Sequence, residues 1–262
     1  MHRIAPTPSG YLHVGNAANF AANALLADGG PLLLRIDDLD RDRFREAYLE
    51  DVFDVLDWLG IHWTHGPRDP ADFHRNWSQE RRMPSYHSAL EELRTRAPSQ
   101  LFACPCSRRE LAEGGHRHGC LAGKVDLARP GVAWRIDTRG TILHDSMPWF
   151  AVRKKDGRPS YQLACTVDDL VFGITECARG DDLRPSTAAQ ALLSDLLGFP
   201  PLAERIRFVH HPLIELDGRK LSKSQDSTGV REAGYKRDEV FAVARAWLEP
   251  ATPGCRPPCG PP

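Results

Sequence analysis

The sequence predicts an α/β fold: a doubly wound, mainly parallel sheet with a small cysteine-rich insertion between its halves. Three observations carry this. Strand-length apolar runs alternate with helix-length amphipathic ones along the chain. Leu32-Leu33-Leu34-Arg35-Ile36 is largely apolar, as in a strand buried on both faces, and it ends in the acidic cluster Asp37-Asp38-Leu39-Asp40. Residues 101–160 break the rhythm, with Cys and His first and short strand-like segments after them.

In chain order, a strand at His2–Ile4 leads through a Pro-rich turn into a helix from Asn16 to Ala27, stopped by Gly29-Gly30-Pro31. After the strand at 32–36, residues 46–59 put Leu49, Val52, Phe53, Leu56 and Leu59 on one helical face. A further helix is expected over 83–96. Inside the insertion, 131–136, 141–144 and 149–153 read as strands. Helices at 161–170 and 187–197 restore the α/β rhythm, and an amphipathic helix covers 237–248. Ligands of such sheets gather at the carboxyl ends of the strands, where the acidic cluster falls. The tail 250–262 holds six prolines and two glycines and is expected to be disordered. The domain reading is 1–100, the first half of the sheet; 101–160, the insertion; 161–249, the second half; and 250–262, the tail.

Composition excludes several classes. With 41% hydrophobic and 26% charged residues the chain is an ordinary globular one, and no apolar run approaches the roughly 20 residues of a membrane span. No membrane partner is expected. Met1-His2-Arg3 leads straight into the first motif and leaves no room for a signal peptide, so cytoplasm is the expected location. A net charge of −1 argues against a uniformly basic nucleic-acid coat but permits a local basic face. Arg108-Arg109, Arg117 and the turn Arg153-Lys154-Lys155-Asp156-Gly157-Arg158 are its candidate parts. Seven cysteines, an odd number, do not suggest a secreted disulfide framework. Cys165 and Cys177 read as buried thiols, and Cys255 and Cys259 sit in the tail. A monomer is expected.

Two distant segments describe one nucleotide pocket. In Pro8-Ser9-Gly10-Tyr11-Leu12-His13-Val14-Gly15-Asn16, a His and a Gly precede an Ala-rich helix whose N-terminal amides can face phosphates. Lys220-Leu221-Ser222-Lys223-Ser224 offers two cations from a loop on the other side. Together, and in this order, they resemble the two signature motifs of class I aminoacyl-tRNA synthetases. Arg3-Ile4-Ala5-Pro6-Thr7-Pro8-Ser9-Gly10 narrows the resemblance to the glutamyl branch. The resemblance covers residues 3 to 249 and implies the Rossmann-like class I synthetase fold with a small zinc-containing insertion.

The resemblance also implies roles. His13 would donate to ATP phosphates, Gly15 would let adenine approach the backbone, and Asn16 stands where a second His is usual. Lys223 would stabilise charge on the departing pyrophosphate, with Lys220 as supporting cation. ATP would be a substrate, with Mg as its counterion. For glutamate, Arg3 and Arg179 occupy the positions whose guanidinium forks hold the side-chain carboxylate. Asp37, one methylene shorter than the family's Glu, would meet the α-ammonium. Ala5, Thr7 and Tyr161 complete the pocket.

Cys104-Pro105-Cys106, then thirteen residues to Cys120, with His116 and His118 between, fits tetrahedral zinc of the Cys₃His type. Short members of the family carry C-x-C and a Tyr four residues before the last Cys. His116 stands at that Tyr position, and His118 is the other candidate. One zinc per chain is expected.

After Lys223 about forty residues remain, so no anticodon-reading domain is expected. The chain thereby resembles the short paralogues of glutamyl-tRNA synthetase, the glutamyl-Q tRNA(Asp) synthetases. That implies tRNA-independent activation of L-glutamate and transfer to queuosine in the anticodon stem-loop of tRNA(Asp). A catalytic portion of an ordinary glutamyl-tRNA synthetase, and a non-catalytic module of the same fold, are the alternatives.

Overall fold

The computed structural model describes residues 1–116, 119–216, 219–220 and 229–249. In chain order it begins with β1 (His2–Ile4), α1 (Val14–Ala27), β2 (Leu32–Leu34), α2 (Glu46–Leu59) and the single turn α3 (Pro70–Asp72). Next come α4 (Met83–Arg96), β3 (Leu101–Cys104), α5 (Arg108–Gly114), β4 (Ala133–Asp137), β5 (Trp149–Arg153) and α6 (Tyr161–Val171). The chain continues through β6 (Glu176–Gly180), α7 (Arg184–Leu196), the turn α8 (Leu202–Arg205) and β7 (Arg207–His211). The short strands β8 (Glu215–Leu216) and β9 (Arg219–Lys220) precede the last helix, α9 (Arg237–Leu248). Among the described residues no helix is long and apolar enough to cross a membrane.

The chain divides into two compact units. The first comprises 1–81, 174–183 and the described residues from 206 on. Its sheet is wholly parallel, in the order β2-β1-β6-β7. The order reverses at β1: one crossover leads out to β2, and the next neighbour on the other side is β6. That is the topological switch point, where the loops leaving adjacent strands part and open a crevice. Leu32, Leu33 and Leu34 are all buried, as a strand covered on both faces requires. Four of the five apolar residues expected on one face of α2 are fully buried: Leu49, Val52, Leu56 and Leu59. They join Ile4, Phe20, Leu34 and Ile36 in the main core.

Contacts from outside the ladder fasten this sheet at its middle and at one edge. β1 and β6 are in register only at His2 and Glu176. Past that point the main chain of Ala178 is served by helix α1 instead: Asn23 Oδ1 accepts its N–H at 2.8 Å, and Asn23 Nδ2 and Asn19 Nδ2 each donate to its carbonyl at 3.1 Å. Asn23 is 1% exposed, so a polar side chain sits in the core where only full hydrogen bonding makes that tolerable. At the edge, residues 64–65 run along β2: the N–H of Thr64 bonds Leu32 O, and Leu34 N–H bonds His65 O. Gly66 follows with φ +113°, and a Cβ there would lie 2.2 Å from the Leu34 carbonyl oxygen. Gly66→Ala is therefore expected to lower stability by about 2–5 kcal/mol, backbone strain and overpacking combined. Urea unfolding checks this against Gly29→Ala, which also has positive φ (+75°) but meets nothing within 4 Å. Equal losses in the two variants would rule out the close approach.

The second unit comprises 82–173 and 184–205. An antiparallel sheet β3-β4-β5 is joined by α4, α6 and α7. At the base of α4, Arg82 forks onto the fully buried Asp168 of α6 (Nε to Oδ1 2.8 Å, Nη2 to Oδ2 3.1 Å), and the Tyr86 hydroxyl donates to the same carboxylate at 2.8 Å. Burial and the Asp168 charge raise the Tyr86 pKa, so it remains a donor. The expected strand at 141–144 is instead a run of turns. Gly140 has φ +79° and the Thr141 hydroxyl donates to Thr138 O, a local bond that competes with a ladder. Ile142 is wholly exposed there. Cys165 and Cys177 are buried free thiols, as their apolar contexts imply.

Candidate active site and candidate metal centre

In the first unit the N-terminus of α1 is built by its own motif. His13 is the N-cap; its Nδ1 accepts the Gly15 N–H at 3.1 Å, while Asn16 Oδ1 accepts the His13 N–H at 3.2 Å. This is a reciprocal capping box with His and Asn in place of the usual Ser and Glu. With Nδ1 accepting, a neutral ring carries its proton on Nε2. Gly15 makes the arrangement possible, because a Cβ there would come to 3.0 Å from His13 Cε1. Asn16 therefore has a structural task at the helix end that the sequence did not reveal.

Around the switch point lie the other expected residues of this unit. Arg3 is on β1 and 5% exposed; Ala5 and Thr7 follow on the segment that leaves the strand. Arg179 is on β6 and 3% exposed, its guanidinium 4.6 Å from the Phe208 ring centroid. Asp37 sits beyond β2, where parallel pairing persists: Arg35 N–H bonds Ile4 O and Asp37 N–H bonds Pro6 O, both at 2.9 Å. Arg3, Asp37 and Arg179 thus lie on or just beyond three adjacent parallel strands, all three buried.

Arg35, not singled out from sequence, grips the Asp37 carboxylate bidentately (Nε to Oδ1 2.7 Å, Nη2 to Oδ2 2.9 Å), both residues being buried. The signal was available, because residues two apart on extended chain point the same way. Asp37 is thereby held as a buried carboxylate just beyond the end of β2. Asp38, also missed, is 1% exposed and accepts the Ser78 hydroxyl at 2.6 Å, the Gln79 N–H at 2.8 Å and Arg41 Nη1 at 3.0 Å. It anchors the chain leaving the strand end.

Tyr161 belongs to the second unit, where it opens α6 after the N-cap Ser160 and is exposed. The Lys220 backbone lies on β9, paired with Glu215. Leu221, Ser222, Lys223 and Ser224 lie outside the described residues, as do Arg117, His118, Cys255 and Cys259.

The second unit brings together Cys104, Cys106, His116 and Cys120, their ligand atoms all within 4.8 Å of one another. Cys104 ends β3. Cys106 precedes Ser107, which caps α5 in a box with Glu110; His116 follows that helix, and Cys120 opens a 3₁₀ turn. Cys106 Sγ is 3.7 Å from Cys120 Sγ, and Cys104 Sγ is 3.3 Å from His116 Nδ1. A tetrahedral ion with metal–sulfur bonds of about 2.3 Å and metal–nitrogen bonds of about 2.0 Å needs separations of roughly 3.8 and 3.6 Å, so the four donors fit such an ion. Phe102 and Trp149 flank the imidazole edge-on, with ring centroids 5.0 and 4.5 Å away. Burial keeps His116 neutral, the form that ligates. Burial and the Cys106 thiol push Cys120 up to about 12, so a cation must displace its proton.

Comparison with known proteins shows the family. The catalytic-domain family of class I tRNA synthetases (E and Q) matches residues 1–118 and 110–246. A glutamyl-Q tRNA(Asp) synthetase of Synechococcus sp. (strain CC9605) is 37% identical across 97% of this chain and 85% of its own length. The chain belongs to the glutamyl-Q tRNA(Asp) synthetases of class I. A second glutamyl-Q tRNA(Asp) synthetase, of Parasynechococcus marenigrum (strain WH8102), is likewise 37% identical with 85% of its length covered. A glutamate–tRNA ligase of Anaeromyxobacter sp. (strain Fw109-5) is 33% identical, but the chain spans only 57% of it. The glutamate–tRNA synthetase structure from Elizabethkingia anophelis superposes with a TM-score of 0.73 over 92% of this chain and 60% of that one; at 22% identity it attests the fold alone. Residues 101–160 hold eleven Lys and Arg against six Asp and Glu, whereas the whole chain holds 34 against 35.

Proposed function

We propose that this chain activates L-glutamate with ATP, without tRNA, and transfers it to queuosine in the anticodon stem-loop of tRNA(Asp). The observation that carries the reading is the match to a glutamyl-Q tRNA(Asp) synthetase across 97% of the chain. Arg3, Asp37 and Arg179, buried on or just beyond three adjacent parallel strands, support it as charges suited to a small dicarboxylic amino acid.

In the first step the glutamate α-carboxylate attacks the α-phosphorus of ATP, and the bond to pyrophosphate breaks. Arg3 and Arg179 hold the side-chain carboxylate, Asp37 the ammonium, and Ala5 and Thr7 line the pocket beside them. The helix end capped by His13, with Gly15 and Asn16, receives phosphates, whose charge Mg shares as counterion. Lys223, with Lys220, offsets the charge building on pyrophosphate. In the second step a hydroxyl of the queuosine ring attacks the acyl carbon and AMP leaves. The basic insertion 101–160 is the surface for the tRNA backbone. Zinc bound by Cys104, Cys106, His116 and Cys120 would hold that insertion rigid and take no part in the reaction. We place the enzyme in the cytoplasm, as a monomer.

Glutamate-dependent ATP–pyrophosphate exchange in the absence of tRNA tests the first step. For the second, labelled glutamate and ATP are incubated with separate tRNA preparations and the label is located in nuclease fragments. Label in the anticodon fragment of tRNA(Asp) is expected. Label at the 3′ terminus of another tRNA would instead favour the ligase activity named for the relatives at 33% identity.

A further inference from the structure

Of the five acidic residues on α2, four face outward and Asp51 is buried, 7% exposed, on the face that buries Leu49, Val52 and Val55. Its Oδ2 accepts the backbone N–H of Leu12 at 2.8 Å, thirty-nine residues away. The carbonyl of the same Leu12 accepts the N–H of Val230, also at 2.8 Å. Leu12 and Val230 are each 1% exposed. Arg231 follows, with Nη2 2.9 Å from Asp54 Oδ2 and 3.9 Å from Asp51 Oδ1. A Cβ at Gly229 would lie 3.8 Å from Asp51 Oδ1, so this segment runs directly past the carboxylate. Tyr11 adds an edge contact to Tyr48 of α2, ring centroids 5.1 Å apart.

Leu12 is thus gripped on both its polar groups, by α2 on one side and by the chain leading into α9 on the other. The next residue is His13. We infer that Asp51 is a positioning residue: through Leu12 it fixes the turn that presents His13 and the N-terminus of α1 to the nucleotide. The inference rests on the nucleotide role proposed above for that helix end.

Burial raises the Asp51 pKa above the ordinary carboxylate range, the Leu12 N–H and Arg231 pull it back, and Asp54 and Glu232 oppose them. A carboxylate held on an apolar helix face at that cost has a specific partner to serve. Its partner is a main-chain group, so the effect falls on where the turn sits rather than on any substrate contact.

Two variants of the full chain, Asp51→Ala and Asp51→Asn, test this. Asn retains a carbonyl acceptor for the Leu12 N–H; Ala does not. Two quantities are read: hydrogen exchange of the Leu12 amide, and kcat and KM in glutamate-dependent ATP–pyrophosphate exchange. With Ala, Leu12 protection is expected to fall at least tenfold and kcat about ten- to a hundredfold, the penalty for a small misplacement of a binding group. The KM for glutamate should stay within about twofold, and Asn should recover most of both losses. Wild-type kcat in Asp51→Ala, or an Asn variant no better than Ala, would overturn the inference while leaving the proposed activity standing. If the unmutated protein shows no exchange at all, the activity reading fails separately. The clamp is then judged by Leu12 protection and the His13 imidazole resonances, and Asp51→Ala leaving both unmoved would overturn it.

Discussion

Glutamine is expected to be activated at least about 10²- to 10³-fold less efficiently than glutamate. The two amino acids are nearly the same size, so shape alone cannot separate them. On the proposed reading the buried Arg3 and Arg179 can, because the amide turns an NH₂ toward these donors and brings no negative charge for the ion pair that glutamate forms with them. Removing one partner of such a pair costs about 3–5 kcal/mol, more than two orders of magnitude in rate. Arg179→Gln should lower kcat/KM for glutamate by a similar factor and leave the KM for ATP within about threefold. Arg179→Lys should recover little, since a point charge reproduces neither the fork nor the stacking on Phe208. Pyrophosphate exchange with each amino acid measures all of this; equal activation of glutamate and glutamine by the unmutated protein would end the two-arginine account.

Protein purified without added metal is expected to contain about one zinc ion per chain by elemental analysis. Cys104→Ser and Cys120→Ser should lose it. Replacing His116 should release the ion more readily than replacing His118, and the opposite order would transfer the fourth ligand to His118. The effect should be large, because among the described residues the cluster around Cys104, Cys106 and Cys120 has only Phe102 as a further buried apolar member. Binding free energies of small zinc sites run to about 10 kcal/mol or more and are then folding free energy. Chelation should therefore open residues 104–125 to proteases while leaving the parallel sheet of the other unit intact.

How much of this was legible in the sequence depends on the range of the interactions involved. Helix α2 was legible because Leu49, Val52, Leu56 and Leu59 repeat at helical spacing, and β2 because three leucines in a row are buried together. The cluster Cys104, Cys106, His116 and Cys120 was legible because its cysteines lie close in sequence, with His116 preferred to His118 through the family resemblance. Strands β6 and β7 were not. Glu176-Cys177-Ala178-Arg179-Gly180 has no apolar run, and its central position in the sheet is fixed by neighbours from elsewhere in the chain. Among the proposed site residues, Arg3, Asp37 and Arg179 were assigned through the family resemblance. Asn23 and Asp51 were missed because their partners emerge only on folding, a main-chain group 155 residues away and another 39 away, whereas Arg35 was readable from its place two residues before Asp37. Buried polar residues of this kind leave little trace in hydrophobic periodicity.

The Asn23 amide has a mechanical consequence. By bonding both the N–H and the C=O of Ala178, it makes one turn of α1 behave as a short extra strand beside β6. The helix that begins at His13 and the strand that carries Arg179 are then a single stiff body, unable to slide past one another without breaking buried bonds. The phosphate site proposed at the helix end and the carboxylate site proposed at Arg179 sit on the two arms of that body, so the distance from nucleotide to side-chain carboxylate is set once, at folding, and does not adapt. The body acts as a caliper of fixed gap. Aspartate is expected to react poorly, because with its side chain held at Arg179 its α-carboxylate falls one methylene short of the phosphorus it must attack.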